Sequence, residues 1–519
     1  MTNIIVGKSD FDGSKIGING IIKPVPLDVV FDADAATIEI LRNANIPFLQ
    51  EPFDLGQAGQ IKIDRKYRGP RFVVINGVRE WFPVGKWFTP SAAALSLILA
   101  STAGTAVSYS SAPTAVASWQ IIGQYNDTGF AAQGSNASSI QVVSRKRDIP
   151  NVDLTAVRSL EQTFYVAGDG LDTTITNSVN VEHKFSIGGT QIAISPSPVV
   201  VPAFEGAYPV LEYTGAIPAG STLYTDKRST VPTAGQNTGP QTLVYSNQGA
   251  AAAVGRKAGA TVTFDTTSLT TGSGSLLCPI TIGYGVHLYP TFGAIGDSII
   301  SRNGETYDGD GGAVGVEGRT VQGGALMRRA IYLAQVSAGR TVPLRLLSRP
   351  SAQMTDMRSS SGAGGAKRRA SYPYFNHLII QMGTNDLGNS RTAAQLKADI
   401  EAEIVAYRAA WTAANPTLPC YVIVCTILPR VDSHASTTRL AYAGEIETHN
   451  YNVRHGLIVG SDGYLDPNLA VRSVADETLW LDSADEVDGL HPSPAGYAKI
   501  ATSEAPYMAL DSSPWRTFL

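Results

Sequence analysis

The sequence predicts a multidomain protein: a C-terminal three-layer α/β domain with a parallel sheet, preceded by an all-β sandwich-like domain and a small mixed N-terminal domain. Three observations predict it. A chain of 519 residues is long enough for about three or four domains of ordinary size. Its texture changes twice, near residues 112 and 288, which sets expected domains at 1–112, 113–288 and 289–519. After residue 289, apolar runs alternate with amphipathic helices, the pattern of parallel crossovers that bury a sheet on both faces.

In the first region, 1–112, the run from Asp34 to Asn45 places Ile38 and Leu41 at helical spacing. The run from Arg71 to Trp87 reads as a hairpin, because Asn76-Gly77 sits between β-rich flanks. The apolar stretch Ser91 to Val107 is short for a membrane span and carries Ser, Thr and Gly, so a buried or oligomer-forming helix is expected there. Ser110 to Ala117, small and Pro-containing, suits a boundary. From 118 to 288, runs rich in Val, Ile, Thr, Tyr and Phe are punctuated by Gly, Asn, Asp and Pro. They include Ile140–Val143, Thr173–Phe185, Gln191–Val201 and Ala260–Phe264, and they suggest a sandwich or jelly-roll-like module able to bind carbohydrate.

In the last region the expected strands are Thr291–Ile295, Pro343–Leu347, His377–Met382 and Tyr421–Ile427. The clearest helix is Thr392 to Ala414, with Leu396, Ile400, Ile404, Tyr407 and Trp411 on one face and Asn415-Pro416 ending it. Cys420 and Cys425 are five apart in an apolar strand, so they point to opposite faces, and the chain's three cysteines make no disulfide framework.

Charge narrows the function classes. Forty basic against forty-four acidic side chains give a net charge of −4. That balance offers neither a nucleic-acid footprint nor a polybasic membrane anchor, so neither partner is expected. The N-terminus lacks a positive region followed by an apolar core, so no Sec signal peptide is expected.

Chemistry concentrates in three short motifs at strand ends, where open α/β sheets place their reactive groups. Gly296-Asp297-Ser298 ends an apolar strand; a serine on such a turn exposes its hydroxyl and aims its own N–H at a developing oxyanion. Gly383-Thr384-Asn385-Asp386 ends another, and Asn385 offers an uncharged amide donor. Asp488-Gly-Leu-His491 sets a carboxylate three residues before an imidazole, close enough to fix its tautomer. Each alone is compatible with an ordinary turn or cap.

All three in this order resemble the SGNH hydrolase family, also called the GDSL esterase/lipase family, over roughly residues 289–519. The resemblance implies a flavodoxin-like fold with Ser298 as nucleophile, His491 as general base, Asp488 as its orienting acid, and Ser298 N–H and Asn385 as oxyanion donors. It implies no cofactor and no metal. The family usually supplies a further donor from a glycine after the second strand. Here that loop is Leu347-Ser-Arg-Pro-Ser-Ala-Gln353, which lacks glycine, so Arg349 or Ser351 takes the role and Arg349 is also a candidate substrate contact.

The expected reaction is removal of short acyl groups, most simply acetyl, from a polysaccharide, because no apolar lid follows Ser298. The loop Arg302 to Gly324 is expected as a mobile substrate-side loop rather than a calcium site, and Ser360 to Arg369 as a basic, solvated one. The arrangement also resembles a phage tail spike or other virion-associated deacetylase, extracellular or on the virion, with a homotrimer as the usual symmetry. Two alternatives remain: a glycan-binding or structural virion protein with a degenerate hydrolase domain, and a secreted bacterial carbohydrate esterase or thioesterase.

Overall fold

The computed structural model describes residues 116–508 apart from 124–125, 128–130, 135–139, 168–170, 232, 243–253, 260–274, 277–278, 288, 302–342 and 360–363, together with nine short strands between residues 2 and 88. The chain divides into two compact units, Met1–Ser111 and Ala112–Thr517.

In the first unit, Phe72–Ile75 and Val78–Trp81 pair antiparallel with Ile75 opposite Val78, and residues 76–77 between them lie outside the described residues. Trp87–Phe88 instead pairs with Ile61–Lys62. The expected helix at 34–45 and the apolar segment at 91–107 lie outside the described residues.

The second unit opens with two antiparallel sheets. One orders Ser118–Ile121, Ile280–Gly285, Leu154–Glu161 and Tyr208–Ile217. The other orders Thr190–Ile194, Val179–Ile187, Leu223–Val231, Ile140–Asp148 and Val254–Gly259, with Val199–Val201 on the flank of the second of these. Val157 of the first sheet meets Phe185 and Leu223 of the second in a shared core. The sequence reading joined some neighbours: Thr173–Phe185 is two strands, Asp172–Thr174 and Val179–Ile187, because Thr176 and Asn177 form a bend. Gln191–Val201 is likewise Thr190–Ile194 and Val199–Val201, broken at Ser195-Pro196. The run Ala260–Phe264 lies outside the described residues.

The α/β part is built on a parallel sheet of six strands: β1 (Asn126–Asp127), β2 (Phe292–Gly296), β3 (Leu344–Leu346), β4 (His377–Gln381), β5 (Tyr421–Cys425) and β6 (Gly463–Leu465). Their order is β1-β3-β2-β4-β5-β6, every pair parallel. From β2 onward this is the doubly wound order of flavodoxin-like folds. Strands β2, β4 and β5 are buried throughout, as continuous apolar runs in a covered sheet should be. Alternate residues feed opposite layers: Ile295, Ile380, Val422 and Cys420 join one core, whereas Ala294, Ile379, Ile423 and Cys425 join the other. The two cysteines therefore face opposite ways, both buried.

Helices cover both faces. On the first face lie α2 (Met354–Arg358) and α5 (Ala393–Ala414), with α6 (Ala443–Arg454) beside them. On the second lie α1 (Ser298–Ser301), α7 (Pro467–Val471) and α8 (Pro494–Met508). Helix α5 buries Leu396, Ile400, Ile404, Tyr407 and Trp411, the stripe expected from its spacing; its N-cap Thr392 accepts from Gln395 N–H in a capping box. Two short helices complete the part: α3 (Ala366–Arg369) and α4 (Thr384–Gly388).

The β-rich and α/β parts share a core. Ile121, Leu160, Ile280 and Ile282 pack in the same cluster as Tyr372, Phe375 and Leu378. The edge strand β1 also comes from upstream of residue 289, pairing Asn126 with Arg345. Among the described residues no helix is long and apolar enough to cross a membrane.

Candidate active site

Three loops converge at the carboxyl ends of β2, β3 and β4. Gly296 ends β2, and Ser298 begins α1, where helix N–H groups have no partner inside the helix. Asp297 turns inward and its Oδ1 accepts Ile299 N–H at 2.9 Å, which fixes the turn that presents Ser298. Burial pushes the Asp297 carboxyl up to about 7; the Ile299 N–H opposes this, and the neighbouring charge of Asp386 adds to it.

Ser298 Oγ lies 2.9 Å from His491 Nε2, and His491 Nδ1 lies 2.7 Å from Asp488 Oδ2. With Nδ1–H donating to the carboxylate, Nε2 is left to accept the serine proton. The other Asp488 oxygen accepts His491 N–H at 2.8 Å and Leu490 N–H at 3.0 Å. Burial alone would raise the Asp488 carboxyl, but the His491 backbone and ring hydrogen bonds hold it below the usual range, so it stays a carboxylate. Ser298 and His491 are buried, with 5% and 9% of their surface exposed, while the Asp488 side chain is half exposed. The Ser298 hydroxyl is thus shielded from solvent, while the carboxylate end of the string is wet.

The turn carrying Asp488 and His491 is gripped from several sides. Gly489 sits at φ 83, a left-handed backbone that favours glycine. Buried Glu486 accepts Gly489 N–H at 2.5 Å and Ala435 N–H at 2.7 Å, and Gly489 O accepts from Val431 N–H and Trp480 Nε1. Sequence reasoning missed Glu486; its only signal was an acid two positions before the motif.

Asn385 lies in α4, and its Nδ2 donates to Ala352 O at 3.1 Å. A side-chain amide has two N–H bonds, so one anchored to Ala352 orients the group while the second remains for a substrate oxygen. Asp386 caps α2: its carboxylate accepts Met354 N–H at 2.9–3.0 Å and Thr355 N–H at 3.4 Å. Burial pushes that carboxyl up to about 6 against the pull of these N–H groups.

Of the two residues expected for the third oxyanion donor, Arg349 is otherwise engaged: its N–H donates to Gly296 O at 3.1 Å. Its side chain is engaged too, Nε donating to Ala167 O at 3.1 Å, so its observed bonds tie two loops together. Ser351 is exposed at φ 67, a conformation that glycine adopts without strain and serine does not. The loop keeps a left-handed corner without a glycine to form it.

The expectation of a basic, solvated segment at 360–369 is corrected by the structure. Residues 360–363 lie outside the described set, but Arg368 is fully buried against Asp172 and Arg369 is paired with buried Glu403. The expected substrate-side loop Arg302 to Gly324 lies outside the described residues from residue 302.

A second serine-histidine-acid string runs through the β-rich part. His183 Nδ1 lies 2.7 Å from Ser159 Oγ and Nε2 lies 3.2 Å from Glu161 Oε2. All three are sealed between the sheets, and Lys227 Nζ neutralises Glu161 at 2.6 Å. No substrate reaches it; it is a satisfied polar core. Among the described residues no group of three or more His, Cys, Asp or Glu side chains is arranged to hold a metal ion.

Residues 294–499 match the model of the GDSL-like Lipase/Acylhydrolase family. No curated protein matches the chain. Similar solved structures include an acetyl-xylooligosaccharide esterase from Geobacillus Stearmophilus, 15% identical, covering 43% of this chain and 96% of its own, with a TM-score of 0.30. A carbohydrate acetylesterase from Sinorhizobium meliloti is 12% identical over 42% of this chain and 98% of its own, with a TM-score of 0.30. A Bacillus subtilis protein is 13% identical over 69% of this chain and 78% of its own, with a TM-score of 0.28.

Proposed function

We propose that the chain is a serine esterase that removes short acyl groups, acetyl in the simplest case, from a polysaccharide by a Ser-His-Asp acyl-enzyme mechanism. One observation carries the reading: the hydrogen-bonded string from Ser298 Oγ through His491 to Asp488 at 2.9 and 2.7 Å. His491 takes the Ser298 proton as Oγ attacks the ester carbonyl. The tetrahedral oxyanion is held by Ser298 N–H, Asn385 and Ser351 N–H. Protonated His491 then gives its proton to the leaving sugar oxygen. Water, deprotonated by the same ring, releases the acid and restores Ser298.

The polar carrier is supported by the half-exposed Asp488 and the exposed Ser351, which put the rim of the site at the surface, within reach of a group hanging from a polymer. An extracellular or virion-associated setting and a homotrimer belong to the same reading. The test is hydrolysis of 4-nitrophenyl acetate, then acetate release from a panel of acetylated polysaccharides, by wild type and Ser298→Ala. A loss on the order of a thousandfold or more is expected for the variant. Equal activity of the two proteins defeats the mechanism; cleavage of acyl-CoA without acetate release from glycans defeats the carrier.

A further inference from the structure

We propose that the β-rich region upstream of residue 289 is a positioning element for the oxyanion loop 347–353, acting through Asp172 and the main chain of Ala167; this rests on the esterase reading. Two ties carry it. The first is direct: Arg349, inside the loop, donates Nε–H to Ala167 O at 3.1 Å, and Ala167 N–H is itself held by Leu171 O at 3.0 Å.

The second runs through α3. Buried Asp172 accepts Lys367 N–H at 2.8 Å and Arg368 N–H at 3.0 Å on Oδ2, and pairs through Oδ1 with Arg368 Nε at 2.7 Å. Its own N–H donates to Gly364 O at 2.9 Å. The helix so held passes the constraint on: Arg369 bonds Glu403 of α5 at 2.8 Å and the carbonyl of Met357 in α2. Helix α2 begins one residue after the loop ends, with its first N–H groups fixed by Asp386 of the Gly-Thr-Asn-Asp motif.

Packing closes the contact. A Cβ on Gly206 would lie 2.4 Å from Lys367 O, so the two regions meet with no room for a side chain. Phe204, at φ 67, holds its ring under Lys367 Nζ at 4.9 Å. The loop in turn sets the catalytic groups: Arg349 N–H is bound to Gly296 O at the end of the nucleophile's strand, and Ala352 O orients the Asn385 amide. A loop that drifts therefore misplaces two oxyanion donors at once. Misplacement by about 1 Å costs on the order of a hundredfold in rate.

The experiment uses the full chain and 4-nitrophenyl acetate, a substrate too small to touch the β-rich region. In Asp172→Asn, Asp172→Ala and Arg349→Met, kcat should fall roughly ten- to hundredfold with KM within about twofold. Glu212→Ala, an exposed partner of Arg158 in the same region, should leave both constants unchanged. Hydrogen–deuterium exchange over 347–358 should quicken in the Asp172 and Arg349 variants, a readout that needs no turnover. A lowered melting temperature with kcat and exchange both unchanged overturns the proposal and leaves Asp172 a stabilising contact only. If Asp172→Ala fails to fold, Asp172→Asn and Arg349→Met decide. A wild type no more active than Ser298→Ala defeats the esterase reading instead, and exchange alone then decides the clamp.

Discussion

Ser298 Oγ and His491 Nε2 stand 2.9 Å apart although 193 positions separate them in the chain. The contact is made by two turns that the sheet brings to one edge: the β2-to-α1 corner and the loop before α8. Neither turn has the contact without the other, so the pair reports the assembled fold as much as the chemistry.

Asp488→Asn should lower kcat on an aryl acetate by about a hundredfold with KM little changed. The amide no longer enforces the Nδ1–H tautomer. The loss should stay below the ~10⁴ seen where the acid is fully buried, because water reaches this half-exposed carboxylate. Steady-state kinetics check it; unchanged kcat would remove Asp488 from the mechanism.

Asn385→Ala should lower kcat by about 10²–10³, the usual cost of one oxyanion donor. Asn385→Asp should do no better, since a carboxylate beside Ala352 O has no hydrogen to offer. Activity within about threefold of wild type for either variant would place the oxyanion elsewhere.

Gly489→Ala should destabilise the protein by about 1–3 kcal/mol, from its positive φ and from a Cβ 2.9 Å from the carbonyl oxygens of Val431 and Ser433. Denaturant melts measure the first effect. Because the turn carries both His491 and Asp488, kcat of the folded variant should fall as well, and a variant with full kcat would show that the turn tolerates displacement.

Asp297→Asn should stabilise the protein more at pH 8 than at pH 5. The folded carboxyl titrates at about 7, above its unfolded value, so the folded state holds the extra proton and stability declines as pH rises through that window. Asparagine keeps an oxygen for Ile299 N–H and removes the buried charge. Thermal melts across pH 4–8 should show the gap between the two proteins widening as pH rises towards 7 and levelling off above it. A constant difference would mean that Asp297 does not titrate there.

Much of the site was legible in the chain. The strands ending at Gly296 and Gln381 are uninterrupted apolar runs, and the stripe Leu396 to Trp411 has helical spacing, so periodicity located β2, β4 and α5 to within a residue or two. Strands β1 and β6 escaped it because two or three residues are too few to show a period. That Arg349 N–H is bound to Gly296 O needed coordinates, since the partner of a backbone N–H leaves no trace in residue type. Glu486, Asp172 and Ala167 were invisible for the same reason: their roles lie in what their oxygens accept across long stretches of chain.

The brevity of β1 has a consequence for handling the molecule. An open sheet edge is a ladder on which another chain can pair and polymerise. Here the flank of β3 is capped by Asn126–Asp127, a segment belonging to the earlier part of the sequence, while the opposite flank, β6, spans only three residues. A fragment cut at residue 289 would bare that ladder and should clump, so any excised catalytic piece should begin before Ser118.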